Sequence, residues 1–523
     1  MRSNWITSRR LFVLTLCALA AWPATNSRAS IRLPAIISDN MVLQAGDRVR
    51  FWGWADPNEE IEINVSWRDF QWSVQADETG RWQFPVQAPN VGGPYEVTLK
   101  GKNTVTVKNI LAGQVWVCSG QSNMEMSVQS SANAQQEIAA AQYPKIRLFT
   151  VEKMVGENPM DDCKGKWVEC SPETVAGFSA VGYFFGRELH KELDQPIGLI
   201  NTSWGGTPAE AWTSTPMLEE NPNFEPILKR YKEAVAAYPQ AMIKFKEDTD
   251  KWNEAAAKAK AEGKPEPGGR PWPPFGPGHP HSPAGLYNGM IAPLTPYTVG
   301  GAIWYQGESN AGRAYQYREL FPTMIKCWWN SWDQGDFPFL FVQLANFMDV
   351  KDQPGDSAWA ELREAQTMTL EVPHTGMAVI IDIGDAKDIH PKNKQDVGKR
   401  LALWALANTY GKNVVYSGPL YTAMDKSGGK IVLHFDHLGG GLVAQGGGPL
   451  KGFAVAGEDR KFVWADARIE GNTVVVSSSS VANPVAVRYA WADNPVCNLF
   501  NKAGLPASPF RTDTWPGVTA GAK

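Results

Sequence analysis

Residues 31 to about 110 alternate apolar and polar positions with a period of two, in RVRFWGWAD, EIEINVSW, FQWSVQAD, GRWQFPVQA and YEVTLKG. A strand sends successive side chains to opposite faces, so this period predicts half-buried strands. The Asp-Pro-Asn, Glu-Thr-Gly and Gly-Gly-Pro breaks predict the turns between them, and a small antiparallel β-sandwich over residues 30–110 follows. From about 111 the texture changes. Continuous apolar runs at 113–119, 196–202, 300–306, 338–345 and 377–383 read as strands buried on both faces, separated by helical periodicity in 178–193, 313–332 and 358–371 and followed by more in 393–410. Strands joined by crossover helices predict an α/β unit over 111–411, with a doubly wound, five-stranded parallel sheet. Short strands with turns return over 412–523 as a second β domain, whose tail, NLFNKAGLPASPFRTDTW, is expected to pack back on its neighbours.

Two insertions interrupt the α/β pattern within 216–283. The first reads as a pair of polar helices, FEPILKRYKEAVAAY and PQAMIKFKEDTDKWNEAAAKAKAEG, with Pro239 suited to the start of the second. The other, KPEPGGRPWPPFGPGHPHSP, is too rich in proline and glycine for regular structure. It is either a spacer or a site rim in which Trp272, Phe275, His279 and His281 face a sugar.

Residues 1–29 have the form of a signal peptide. Arg2, Arg9 and Arg10 precede an apolar stretch from Leu11 to Trp22, and Ser27 and Ala29 offer small residues before Ser30. That stretch is too short to span a membrane and no later apolar run approaches the needed length, so a soluble, exported protein, periplasmic or extracellular, is expected. The formal net charge is −4, and loss of the four leader arginines takes it to −8. No basic stripe remains for nucleic acid. Six cysteines are too few to staple 523 residues. Cys163 and Cys170 are close enough to bridge a hairpin, and the others read as small buried hydrophobes.

The strand ends carry the chemistry, since open α/β sheets bind ligands beyond the carboxyl ends of their strands. In WVCSGQSNMEM (116–126) a strand and a tight turn bring Ser122 to the mouth of a helix, as a nucleophile or as a helix cap. NTSWGGTPAEAW brings Gly205 and Gly206, whose backbone N–H groups can approach a ligand. WYQGESNA brings Gln306, Glu308 and Asn310, and DIGDAKDIHPKNKQDVGKR brings Asp382, Asp385, Asp388 and His390. Singly, each has a plain alternative: His390 as a packed turn residue, Gly-Gly as a turn, Gln306 as a partner of loop backbone. Together, a serine, N–H donors, a histidine and carboxylates on one sheet edge point to acyl transfer. DAKDIH lacks a second histidine at helical spacing, which disfavours a metal.

The combination GQSNMEM, SWGGTPAEAW, WYQGESNA, DIHPKNKQDVGKRLA and PASPFRTD resembles the sialate O-acetylesterase family of carbohydrate esterases, within the SGNH hydrolase superfamily, over nearly the whole chain. The resemblance implies an SGNH-hydrolase-like 111–411 unit that hydrolyses O-acetyl esters on a glycan without metal or cofactor. By it, Ser122 is the nucleophile and His390 the general base, with an oxyanion hole of the Ser122 N–H, the Gly206 (or Gly205) N–H and the Gln306 amide. The orienting acid stays open. The superfamily usually places it three residues before the histidine, where this chain has Lys387, so Asp388 is favoured, Asp385 is second, and a Ser–His dyad is the third form. Glu125 and Glu308 are expected to brace loops. Two rival readings are a glycoside hydrolase using Asp382, Asp385 and Glu308, and a carbohydrate-binding protein, suggested by 22 tryptophans and two β domains.

Overall fold

The computed structural model describes residues 31–523, so the expected signal peptide lies outside the described residues. Its central sheet is built from β1 (Thr104–Gly120), β2 (Tyr143–Thr150), β3 (Ile197–Asn201), β4 (Gly301–Tyr305), β5 (Phe339–Val342) and β6 (Thr375–Ala378). The spatial order is β6-β5-β4-β1-β3-β2, every neighbouring pair is parallel, and Trp167–Cys170 adds an antiparallel strand outside β2. The parallel sheet thus has six strands where the apolar runs predict five. The additional strand, β2, reads YPKIRLFT, and its charged residues hide it. Arg147 is nonetheless buried, because its guanidinium donates to the carbonyls of Pro144 and Asn40.

Helices cover both faces. Trp304 and Tyr305 are adjacent in β4 and so point to opposite sides. On the Trp304 side, α3 (Ala314–Trp332) supplies Phe321 and Trp328, with ring centroids 6.4 and 6.0 Å from Trp304, and α4 (Ala358–Met368) packs on α3. On the other side, Trp116 of β1 meets Phe185 of α1 (Ala180–Leu193) at 4.9 Å, and α5 (Lys394–Asn408) packs against α1. This is the doubly wound arrangement. Trp116, Trp212, Trp304, Trp328 and Trp332 are wholly buried in it, and each large apolar side chain contributes roughly 1.5–3 kcal/mol by leaving water. Much of the tryptophan content therefore serves the core.

The amino-terminal β region is joined to this sheet through β1 itself. Residues 104–112 pair antiparallel with Gly92–Lys100, residues 111–113 pair parallel with Val42–Gln44, and residues 114–118 pair with β3. The boundary expected at 110/111 falls inside one unbroken strand. A two-stranded ribbon, Arg48–Trp54 with Arg81–Gln87, packs over this region through Phe84 on Trp72. At the other end of the chain, two four-stranded antiparallel sheets share a second core that includes Ile431, Leu433, Val455, Val474, Val487 and Tyr489. The tail packs back as expected, with Arg511 donating to Glu364 of α4 at 2.7 Å, and beyond it the Val518 and Thr519 N–H groups donate to Glu361 of the same helix.

The expected helix pair is a single helix, α2 (Glu225–Ala261), with Pro239 inside it. Only Ile227 of α2 is buried, so water can take up the carbonyl that proline leaves without a donor. The proline-rich segment after it has no regular structure. The Cys163–Cys170 bridge is not formed: all five described cysteines are free, and burial pushes the thiols of these two up to about 12. Among the described residues no helix is long and apolar enough to cross a membrane.

Candidate active site

β1 ends at Gly120, whose φ of +138° and close approach to β4 admit no side chain. A Cβ there would lie 2.1 Å from the Tyr305 carbonyl oxygen. The Gln121 N–H donates to that oxygen at 2.9 Å, and Gln121 Oε1 accepts the N–H groups of Gly307 and Ser309 at 3.4 and 3.3 Å. The turn so held presents Ser122 as the first residue of a helix, Ser122–Glu125, that is only one turn long. Its dipole is correspondingly small, and the cap position belongs to Gln121, so Ser122 is no helix cap. Its Oγ lies 2.8 Å from His390 Nε2.

His390 sits in the irregular segment between β6 and α5, and the three nearby carboxylates separate clearly. Asp382 is clamped by Arg400 through two hydrogen bonds of 2.6 and 2.7 Å, which removes it from any catalytic carboxylate pair. Asp385 Oδ1 accepts the Lys387 N–H at 2.8 Å in a local turn. Asp388 is the carboxylate that reaches the histidine. Its Oδ1 accepts the His390 backbone N–H at 2.9 Å and lies 3.5 Å from His390 Nδ1, with the two side chains 45% and 38% exposed.

The glycine pair also separates. The Gly205 N–H donates to Glu125 Oε2 at 2.5 Å, while Glu125 Oε1 accepts from Lys153 at 2.5 Å. A Cβ on Gly205 would lie 3.3 Å from Ser122 Cβ, so this loop abuts the nucleophile. Among the described residues neither the Gly206 N–H, at a φ of +77°, nor the Ser122 N–H has an acceptor. Gln306 departs from expectation. Its amide donates to Asn310 Oδ1 at 2.6 Å and the Thr207 carbonyl at 3.3 Å, and its Oε1 accepts from Tyr317 at 2.9 Å. A fully buried amide must satisfy its groups internally, and this one does so as a brace rather than as a donor to an oxyanion.

Sequence reasoning misses a buried group that ties the two loops together. Asn123 Nδ2 donates to Glu308 Oε1 at 2.6 Å and to the Ile389 carbonyl at 3.0 Å, and its Oδ1 accepts from Lys394 Nζ at 2.5 Å. The residue after the nucleophile thus holds the residue before the histidine. Burial brings the Lys394 ammonium down to about 7 and raises the Glu308 carboxyl above its ordinary range. A lysine opening a helix reads as exposed, so the one signal available is the asparagine in GQSNM.

Two cavities flank the glycine loop. One, of about 1010 Å³, includes Ser122, His390, Lys153 and Gln129 in its wall. The other, of about 570 Å³, lies beyond Gly206 and includes Arg230, Phe275, His281 and Arg313, the last paired with Glu210 at 2.6 Å. Of the expected rim, Phe275 and His281 reach this cavity, His279 packs on both, and Trp272 stands 88% exposed.

The family profile described as "Carbohydrate esterase, sialic acid-specific acetylesterase" matches residues 112–262 and 279–407. The chain is 31% identical to the sialate O-acetylesterase of Homo sapiens, over 95% of this chain and 96% of that one. It is also 31% identical to the sialate O-acetylesterase of Mus musculus, over 92% and 94%. A crystal structure of a carbohydrate acetylesterase from Xanthomonas citri superposes with a TM-score of 0.79 at 39% identity, covering 93% of this chain and 100% of that one. With matches of this extent, the chain belongs to the sialic acid-specific acetylesterase family of carbohydrate esterases.

Proposed function

We propose that this esterase removes O-acetyl groups from a glycan by two-step acyl transfer on Ser122. The observation that carries the reading is the 2.8 Å contact between Ser122 Oγ and His390 Nε2, beside two backbone N–H groups without acceptors. His390 takes the Ser122 proton as Oγ attacks the acetyl carbonyl, and the same imidazole returns it to the departing sugar oxygen. The Ser122 and Gly206 N–H groups receive the oxyanion, and each such donor is worth on the order of 10²–10³ in turnover. Water, activated by His390, then releases acetate. Asp388 biases the imidazole towards the tautomer with its proton on Nδ1.

Ser122→Ala tests the reading: acetate release should fall by about 10³-fold or more with the circular dichroism spectrum unchanged, and retention of more than a few per cent of activity would overturn it.

The relatives' names favour O-acetylated sialic acid as substrate. Faster acetate release from O-acetylated sialic acid than from acetylated xylan is expected, and the reverse order would assign a neutral glycan. Residues 1–29 support export to the periplasm or medium, with a mature chain beginning at Ser30.

A further inference from the structure

A third cavity, of about 680 Å³, lies between the amino-terminal β region and the α/β unit, and nothing in acyl transfer uses it. We propose that it binds a neutral oligosaccharide, as an ancillary site that holds a stretch of glycan distant from the ester being cleaved.

Its position separates it from the active site. The wall includes Tyr287 and Pro296, which precede β4, and Ser331, at the end of α3. In a parallel sheet these places lie at the amino edge, opposite the edge that carries Ser122. β1 from Gln114 to Gly120 covers about 20 Å of that separation, at roughly 3.3 Å per residue.

The chemistry of the wall selects the ligand. Trp52, Trp54, Trp82 and Tyr287 bring aromatic groups to the wall, suited to the C–H groups of pyranose rings, with one face of Trp54 covered by the Arg32 guanidinium 3.6 Å from its centre. Trp82 is only 4% exposed, and its indole N–H has no acceptor among the described residues. The N–H groups of Trp52 and Trp54 have none either, whereas four of the five wholly buried core tryptophans, Trp116, Trp212, Trp328 and Trp332, donate to protein oxygens and Trp304 alone of them does not. A buried donor without a partner calls for one, and sugar hydroxyls accept as readily as carbonyls do. Gly53 has no room for a side chain, since a Cβ there would sit 2.3 Å from the Arg32 carbonyl oxygen and 3.0 Å from Trp82 Cζ2.

The rim argues for a neutral occupant. Arg81 pairs with Asp161, Arg32, stacked on Trp54, pairs with Asp162, and Asp77 Oδ1 is taken up by the N–H groups of Thr79 and Arg81, so among the described residues both arginines at this wall already have a carboxylate partner. Gln83 is exposed and uncommitted among the described residues, and its amide can both donate and accept. The volume falls within the range of roughly 300–1,000 Å³ typical of ligand pockets. Occupancy would raise the effective concentration of a long glycan at Ser122 without any contact to the reacting ester.

The test uses the intact enzyme and two probes without O-acetyl esters, xylohexaose and lacto-N-tetraose, in isothermal titration calorimetry. At least one probe should bind, and Trp54→Ala should weaken it fivefold or more while hydrolysis of p-nitrophenyl acetate stays unchanged. Should Trp54→Ala lose its fold by circular dichroism, Gln83→Ala, at an exposed position, is held to the same threshold. Failure of both probes to bind, or weakening of less than fivefold in the folded variant, overturns the proposal.

Discussion

The two sides of the active site differ in how they are held. Around Ser122 the polar groups are tied to the sheet, Gln121 to Tyr305 and to the 307–309 loop, and Glu125 to Gly205 and Lys153. Around His390 there is no regular structure, and both the imidazole and the Asp388 carboxylate are more than a third exposed. The contrast locates the positional precision of the site. His390 is aligned largely from the Ser122 side, through Asn123 and the Ile389 carbonyl, while Asp388 adds a long contact screened by water.

The largest expected effect comes from removing the base. His390→Ala should lower kcat for acetate release by about 10³-fold or more, and a loss below tenfold would mean that this exposed ring is not the proton acceptor. Asn123→Ala is the sharpest probe of the contrast. It should cost about 10²-fold in kcat with little change in KM, together with about 1–3 kcal/mol of stability, because Glu308 and Lys394 lose their shared partner. If kinetics and urea unfolding instead show kcat within twofold of wild type, the His390 segment aligns itself.

Asp388→Asn should cost only about tenfold, against the roughly 10⁴-fold loss when a buried triad carboxylate is replaced. A loss of the larger size, measured by steady-state kinetics on the same substrate, would erase the difference between the two sides. The remaining effect concerns pH and reads on stability rather than on rate. The Lys394 ammonium is brought down to about 7 in the folded protein against 10.5 in the free side chain. Between these values the unfolded chain binds more protons, so this group makes stability rise with pH from about 7 to about 10.5. Lys394→Met should flatten that rise in urea titrations compared at pH 7.5 and 9.5.

Much of the architecture was legible because strands buried on both faces must be apolar throughout, as β3 and β4 are. β2 was not, since Arg147 is buried through backbone carbonyls supplied from elsewhere in the fold. The unbroken α2 was not either, because an exposed helix accommodates Pro239 at a cost that local sequence does not reveal. The Ser122 and His390 pairing was legible from strand ends, whereas the orienting acid was narrowed only to Asp388 first, Asp385 second or a dyad, because which carboxylate comes near His390 turns on how the irregular segment before it folds. Gln306 illustrates the same limit. An amide at a strand end reads as an available donor, and only the folded structure reveals Asn310, Thr207 and Tyr317 around it.

The unbroken course of β1 bears on how this esterase can be taken apart. One strand begins in the amino-terminal sheet and ends at the turn carrying the nucleophile, so a truncation starting near residue 104 would leave that strand with a raw edge continuous with the active site. The amino-terminal region is therefore no cassette to be trimmed away or grafted between homologues. Exchange is better aimed at 216–283, where the chain leaves the core and returns to it.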